Sequence, residues 1–321
     1  MSLDYSGSEY SGSTSTTARP RADHERYAFS DVEAGLDSLQ SGGHRSTRSW
    51  RRALSSVLLP VALLVVLIVV WQVYVWIAQP RPDIVPSPIA VAQSFGDLWS
   101  SGRLQQAVLT SLERGVLGFL IAVAVGTPLG LLLSEVPLLR RAVGPLISGL
   151  QVLPSVAWVP AAILWFGLSD ATAYFVVLMG ATPSIVNGLL SGVDQVPPQF
   201  RRVGTVLGAS KWQQATLVVM PAALPGYLGG LKQGWAFSWR SLMAAEIITT
   251  GGTMGFGLGT LLDQSRQLAD LSGVIVTIVG ILVIGIVVEL LVFAPIERRI
   301  ARGRGLARTA DSRVGSVGSP L

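Results

Sequence analysis

The chain has 321 residues, half of them hydrophobic and only 13% charged, with a formal net charge of +5 and no cysteine. Soluble domains carry about 25% charged residues, so this composition excludes an ordinary globular enzyme and predicts an all-α, polytopic membrane protein. Disulfides and thiol chemistry are excluded, and the only histidines, His24 and His44, lie in the polar N-terminal region, away from every apolar run.

Residues 1–52 are rich in Ser, Thr, Gly and Arg and hold few large apolar side chains. They cannot bury enough surface to offset the entropy of ordering, so a disordered tail is expected. A transmembrane domain is expected over 53–300, with six spans at about 57–78, 115–133, 146–166, 171–190, 224–249 and 271–293, and a flexible tail over 301–321. The first span ends in Trp71, Tyr74 and Trp76, which suit a membrane–water interface. Between it and the second span, Pro80, Pro82, Pro86 and Pro88 predict an extended external loop over Gln79 to Leu104. Glu135 to Arg141 reads as a short basic loop, and Gly251 to Gly259 as a tight glycine-rich one, either a gate or receptor surface or a plain connection. Glu113 and Arg114 lie at the edge of the second span, as anchors or as gate residues.

Orientation follows from Lys and Arg. One side holds the N-terminal tail, Arg140, Arg141, Arg201, Arg202, Lys211 and the C-terminal tail from Arg298; the other holds Arg81, Arg103 and Arg266. Both termini and the stretch 197–213 are therefore expected in the cytoplasm. Basic residues flank apolar runs and do not cover one folded face, so no nucleic-acid partner is expected.

The stretch 197–225 stands out. Pro197-Pro198 suits a helix start, Gln199 to Leu207 makes about two turns, Gly208 permits a corner, and Ser210 can cap a second helical piece. A short helix, a glycine corner and a return to the membrane form a shape that another protein can grip. A chain hydrolysing ATP itself needs a Gly-Lys-Ser/Thr phosphate loop. The two lysines follow Ser210 and Leu231, so neither belongs to one.

Gly208-Ala209-Ser210, Trp212-Gln213 and Met220-Pro221-Ala222-Ala223-Leu224-Pro225-Gly226 resemble the coupling motif of ABC importer permeases, in particular the nitrate/sulfonate/taurine/bicarbonate group. Leu153-Pro154, Pro160, Ile163 to Gly167, Gly230-Leu231 and Ala245-Glu246 are similar to that group too, and the resemblance covers about 55–300. It departs at one place. Counting back from Gly208, the family's Glu-Ala-Ala falls on Arg202, Val203 and Gly204, so a base replaces the acid.

The resemblance implies a type I ABC importer permease fold with six transmembrane helices in a bacterial plasma membrane. It implies a homodimer, two ABC ATPase subunits that hold ATP and Mg, and an extracytoplasmic substrate-binding protein. No cofactor is expected on this chain, and it is not expected to be an enzyme. The implied contacts with the ATPase are Gln199, Arg201, Arg202, Val203, Gly204, Leu207, Gly208, Ala209, Ser210 and Trp212. The implied cargo is a small anion, aliphatic sulfonate or taurine first, then nitrate or bicarbonate. A neutral or cationic vitamin precursor is one alternative, and a secondary, ion-gradient transporter is another.

Lys232, Arg240 and Glu246 interrupt the fifth span. A charge at bilayer depth costs roughly 2.5–3.5 kcal/mol on insertion scales, so each must face protein or water. They are candidates for the translocation pathway, with a cation attracting an anionic solute. The plainer alternative is that Lys232 snorkels and Arg240 satisfies a neighbour's carbonyls. Arg240 and Glu246 are six apart in sequence, about 600° of helix rotation, which puts them on different faces and argues against pairing within the helix.

Overall fold

The structure, a computed structural model, describes residues 49–303; they are mostly helical, with no strand among the described residues. The chain divides into two units, 1–67 and 68–321. Of the first, the described part is the beginning of helix α1 (Ser49–Ala78). The tail expected over 1–52 and the one expected over 301–321 lie largely outside the described residues. From Val61 to Val70 the side chains of α1 are exposed and apolar all round, as a helix surrounded by lipid requires.

The second unit contains α2 (Pro88–Ser100), α3 (Arg103–Glu135), α4 (Pro137–Val152), α5 (Val159–Phe166), α6 (Asp170–Asp194), α7 (Pro198–Val206), α8 (Lys211–Gln213), α9 (Met220–Ile248), α10 (Leu258–Gln267), α11 (Leu271–Val288) and α12 (Ala294–Gly303). π-helical turns at Gln214–Val219 and Glu289–Phe293 join α8 to α9 and α11 to α12.

Four helices among the described residues are long and apolar enough to cross a membrane, or five if one bent pair counts as a span. The third expected span falls on that bent pair. Leu153 is extended and Pro154 cannot continue the ladder, so α4 stops there, and a 3₁₀ turn (Ser155–Trp158) and α5 leave at 99°. The fifth expected span is α9, 29 residues long, which is not among the four and carries Lys232, Arg240 and Glu246.

Two connections also differ from expectation. The segment expected to be extended contains α2, because Pro88 sits at the helix start, where its missing N–H is no loss, and Ser87 accepts from the Ala90 amide. The expected loop at 135–141 is a single corner at Val136, since Pro137 starts α4 immediately.

The core lies along α6. Val177, Ile185 and Leu189 on one stripe press against Gly118, Gly126 and Gly130 of α3, at spacings that leave no room for larger residues. On another side, Gly188 and Gly192 of α6 face Gly230 and Gly226 of α9, backbone on backbone. Lipid gives helices no hydrophobic reason to associate, so close packing between small residues supplies the contact. Three helices are thereby clamped with their ends in register: α6 is about 37 Å long and carries one polar cluster at each end.

Candidate coupling and translocation sites

At one end of the clamp sits α7. Its C-terminus is a Schellman turn: the Gly208 amide donates to the Thr205 carbonyl, the Ala209 amide donates to the Gly204 carbonyl, and Gly208 takes a φ of +76°. Ser210 then starts the next helix with a capping box. Its hydroxyl accepts from the Gln213 amide, and the Gln213 side chain accepts from the Ser210 amide at 2.8 Å. Gly204 is buried because Gln214 lies across it; the Gln214 side-chain Nε2 donates to Thr205 Oγ1 at 3.0 Å and ties α7 to the π turn. Arg201 reaches Glu135 of α3 at 3.4 Å, and Arg140 makes a two-pronged pair with Asp194.

This geometry holds α7 rigidly and leaves its far side bare. Val206 is 87% and Leu207 79% exposed; Val203 and Trp212 are exposed too, as are Gln199, Arg202 and Ser210. These side chains form an exposed apolar ridge ringed by polar groups. Of the ten residues expected to make coupling contacts, Gly204 is buried, Arg201 and Ala209 are half-buried, and the other seven are exposed.

The three charges of α9 separate. Lys232 binds Glu289 at 2.9 Å and Glu297 at 3.6 Å, which ties α9 to the last helices. Arg240 lies 5.1 Å over the Phe237 ring and has no ion-pair partner among the described residues. Both border a cavity of about 380 Å³ that Trp235, Trp239, Glu289 and Phe293 also line. Glu246 does not border it; it is fully buried at the opposite end from α7.

There Glu246 accepts from Ser111 Oγ, from Arg114 Nη1 at 3.1 Å and from the Gly259 amide at 2.9 Å. Arg114 also donates to Asp170 and to the Gly255 carbonyl, and Ser111 Oγ accepts from the Leu258 amide. Carbon added at Gly257 or Gly259 would collide with the Glu246 side chain. The glycine-rich loop is therefore packed around a carboxylate and not merely a connection. Sequence reasoning missed this cluster, although opposite charges inside two apolar runs were its visible signal.

The bundle carries several apolar helices of membrane-spanning length and an exposed α7 at one end. Residues 122–302, more than half of the chain, match the family described as binding-protein-dependent transport system inner membrane component, and the chain belongs to that family. It is 29% identical over 266 residues to the bicarbonate transport system permease of Synechococcus elongatus, covering 79% of this chain and 93% of that one. It is 29% identical over 272 residues to the taurine transport system permease of Escherichia coli, covering 82% and 96%. Its fold is similar to an inward-facing structure of the methionine ABC transporter MetNI, with a TM-score of 0.54 and 18% identity over 63% of this chain and 97% of that one. The protein is thus a multi-pass ABC importer permease subunit.

Proposed function

We propose that this chain forms, with a second copy of itself, the passage of an ATP-driven importer for a small anionic solute. Aliphatic sulfonate or taurine comes first, nitrate or bicarbonate next. Six spans would put α7 and both termini in the cytoplasm, following the distribution of Lys and Arg. A separate ATPase would seat beneath α7, and a binding protein would deliver cargo at the other end. Burying Val203, Val206 and Leu207 would contribute roughly 1.5–3 kcal/mol for each fully covered side chain, enough to hold a partner. The observation that carries the anion reading is Arg240. Of the two cations at the α9 cavity, Lys232 is neutralised by Glu289 and Glu297, while Arg240 lies over the Phe237 ring with no ion-pair partner among the described residues.

The test is uptake of labelled taurine and nitrate into proteoliposomes holding the complete complex and its binding protein. Arg240→Ala is expected to abolish uptake with assembly unchanged. Lys232→Ala is expected to loosen the last helices and lower thermal stability. Undiminished uptake by Arg240→Ala removes Arg240 from the passage. Full uptake by the permease without any ATPase subunit overturns the ATP-driven reading altogether.

A further inference from the structure

A groove of about 1130 Å³ runs along α3 to α7 and the α8–α9 turn. Along α3 its wall is Val123, Ala124, Thr127, Pro128, Leu131, Leu132 and Glu135, one continuous stripe of the helix. From Val123 to Glu135 that stripe is about 18 Å long, close to the roughly 15 Å of one bilayer leaflet's hydrocarbon. Partway along it the hydroxyls of Thr127 and Tyr227 bond to each other, and Gln214, which also lines the groove, is held by Thr205.

The groove changes character where α3 ends. Lys211, Arg201 and Trp212 line its mouth beside Glu135. Arg201 and Glu135 offset one another, and Lys211 has no ion-pair partner among the described residues, so the mouth carries a net positive charge. Trp212, 72% exposed, is the residue type that settles at headgroup level. One end is thus cationic and interfacial, the rest apolar, and the length is that of one acyl chain.

We infer that this groove binds one anionic phospholipid, with its chain along α3 and its phosphate at Lys211. The lipid links the end of α3 to the start of α8, directly behind the Gly208 corner. Gln214, which holds α7 through Thr205, lines the same groove, so headgroup charge tunes how firmly that contact is held.

The experiment is native mass spectrometry of the purified complex after exchange into mixed phosphatidylglycerol and phosphatidylcholine. Wild type is expected to retain phosphatidylglycerol selectively. Lys211→Gln is expected to lower that retention about fivefold, the share of one surface cation. Ala124→Trp, which narrows the apolar part of the groove, is expected to lower retention of both lipids. Equal retention of the two lipids by wild type overturns the inference, and so does unchanged selectivity in Lys211→Gln. Since the chain has no cysteine, Leu132→Cys reports cleanly on the rival occupant. Efficient disulfide formation between two copies in the membrane would give the groove to a second copy and also overturn the lipid.

Discussion

Glu246 and Arg114 meet at 3.1 Å, both buried, although 132 residues separate them in the chain. Removing one member of such a pair strands the other. Glu246→Ala leaves Arg114, 5% exposed, with Asp170 and one carbonyl, and leaves the Gly259 amide and Ser111 without their acceptor. The expected loss is roughly 3–5 kcal/mol, read as a drop in the thermal transition of the purified complex. Glu246→Gln keeps the shape and part of the bonding and is expected to lose less. Pairing Glu246→Ala with Arg114→Leu is expected to recover part of the loss, because no lone charge remains buried.

A second prediction concerns α6 and α9. The backbones touch at Gly188 and Gly230, and a Cβ on either would land inside the other residue. Gly188→Val must push two long helices apart and open the packing around Ile185 and Leu189. Membrane insertion is expected to survive, because each helix is long enough by itself. Folding is expected to fail, with rapid proteolysis of the inserted chain. Gly229→Val, next to Gly230 but with nothing within contact distance, is the control and is expected to be tolerated on packing grounds.

Much of the helix pattern was legible from hydropathy, since apolar runs with flanking charge mark spans whatever they pack against. The helix–corner–helix at 197–213 was legible for a local reason: Pro198, Gly208 and Ser210 specify a start, a turn and a cap within their own few residues. The 99° break at Leu153 and Pro154 was harder to read, because proline bends some helices and ends others, and what decides is how the next segment packs. Helix α2 was hidden by its prolines, only one of which lies in the helix, at the single position where proline is welcome. The Glu246 cluster was illegible for another reason. Its members come from α3, α6, α9 and a loop, and only tertiary packing brings Ser111, Arg114 and Asp170 to one carboxylate.

The corner before α8 yields a third prediction. Gly208 has open space around it, so a side chain there meets no clash, but its φ of +76° is left-handed backbone. A β-branched residue in that conformation costs about 1–2 kcal/mol and favours a different turn. Gly208→Val is expected to misdirect α7 and abolish ATPase docking in co-purification, with the amount of inserted permease unchanged. Gly208→Asn, a residue that tolerates this backbone, is expected to restore docking in large part. Arg202→Glu leaves the backbone alone and is expected to weaken docking if the partner's groove has adapted to a cation.

The last prediction concerns acid and the α10–α11 corner. Asp263 is almost wholly buried at the base of that corner, where it accepts from Arg266 Nε at 3.1 Å and from the Gln267 side chain at 2.6 Å. The Arg266 hydrogen bonds, more than the opposing burial, hold its carboxyl below the usual aspartate range. An unfolded aspartate titrates near about 3.9. A lowered value in the folded chain means that the stabilisation is fully present above that pH. It declines as the pH falls below about 3.9 toward the lowered folded value, because protonation then removes the acceptor that Arg266 binds. Arg266 is largely exposed, so solvent screens the pair and limits its worth to the order of 1 kcal/mol. Other carboxylates titrate in the same range, so the informative quantity is a difference. Hydrogen exchange at residues 258–275 is expected to quicken in the wild type as the pH drops below about 4, after correction for intrinsic rates. Asp263→Asn is expected to exchange faster than wild type at neutral pH and to show a much smaller further change on acidification. Parallel acid profiles for the two proteins would mean that Asp263 does not govern this corner.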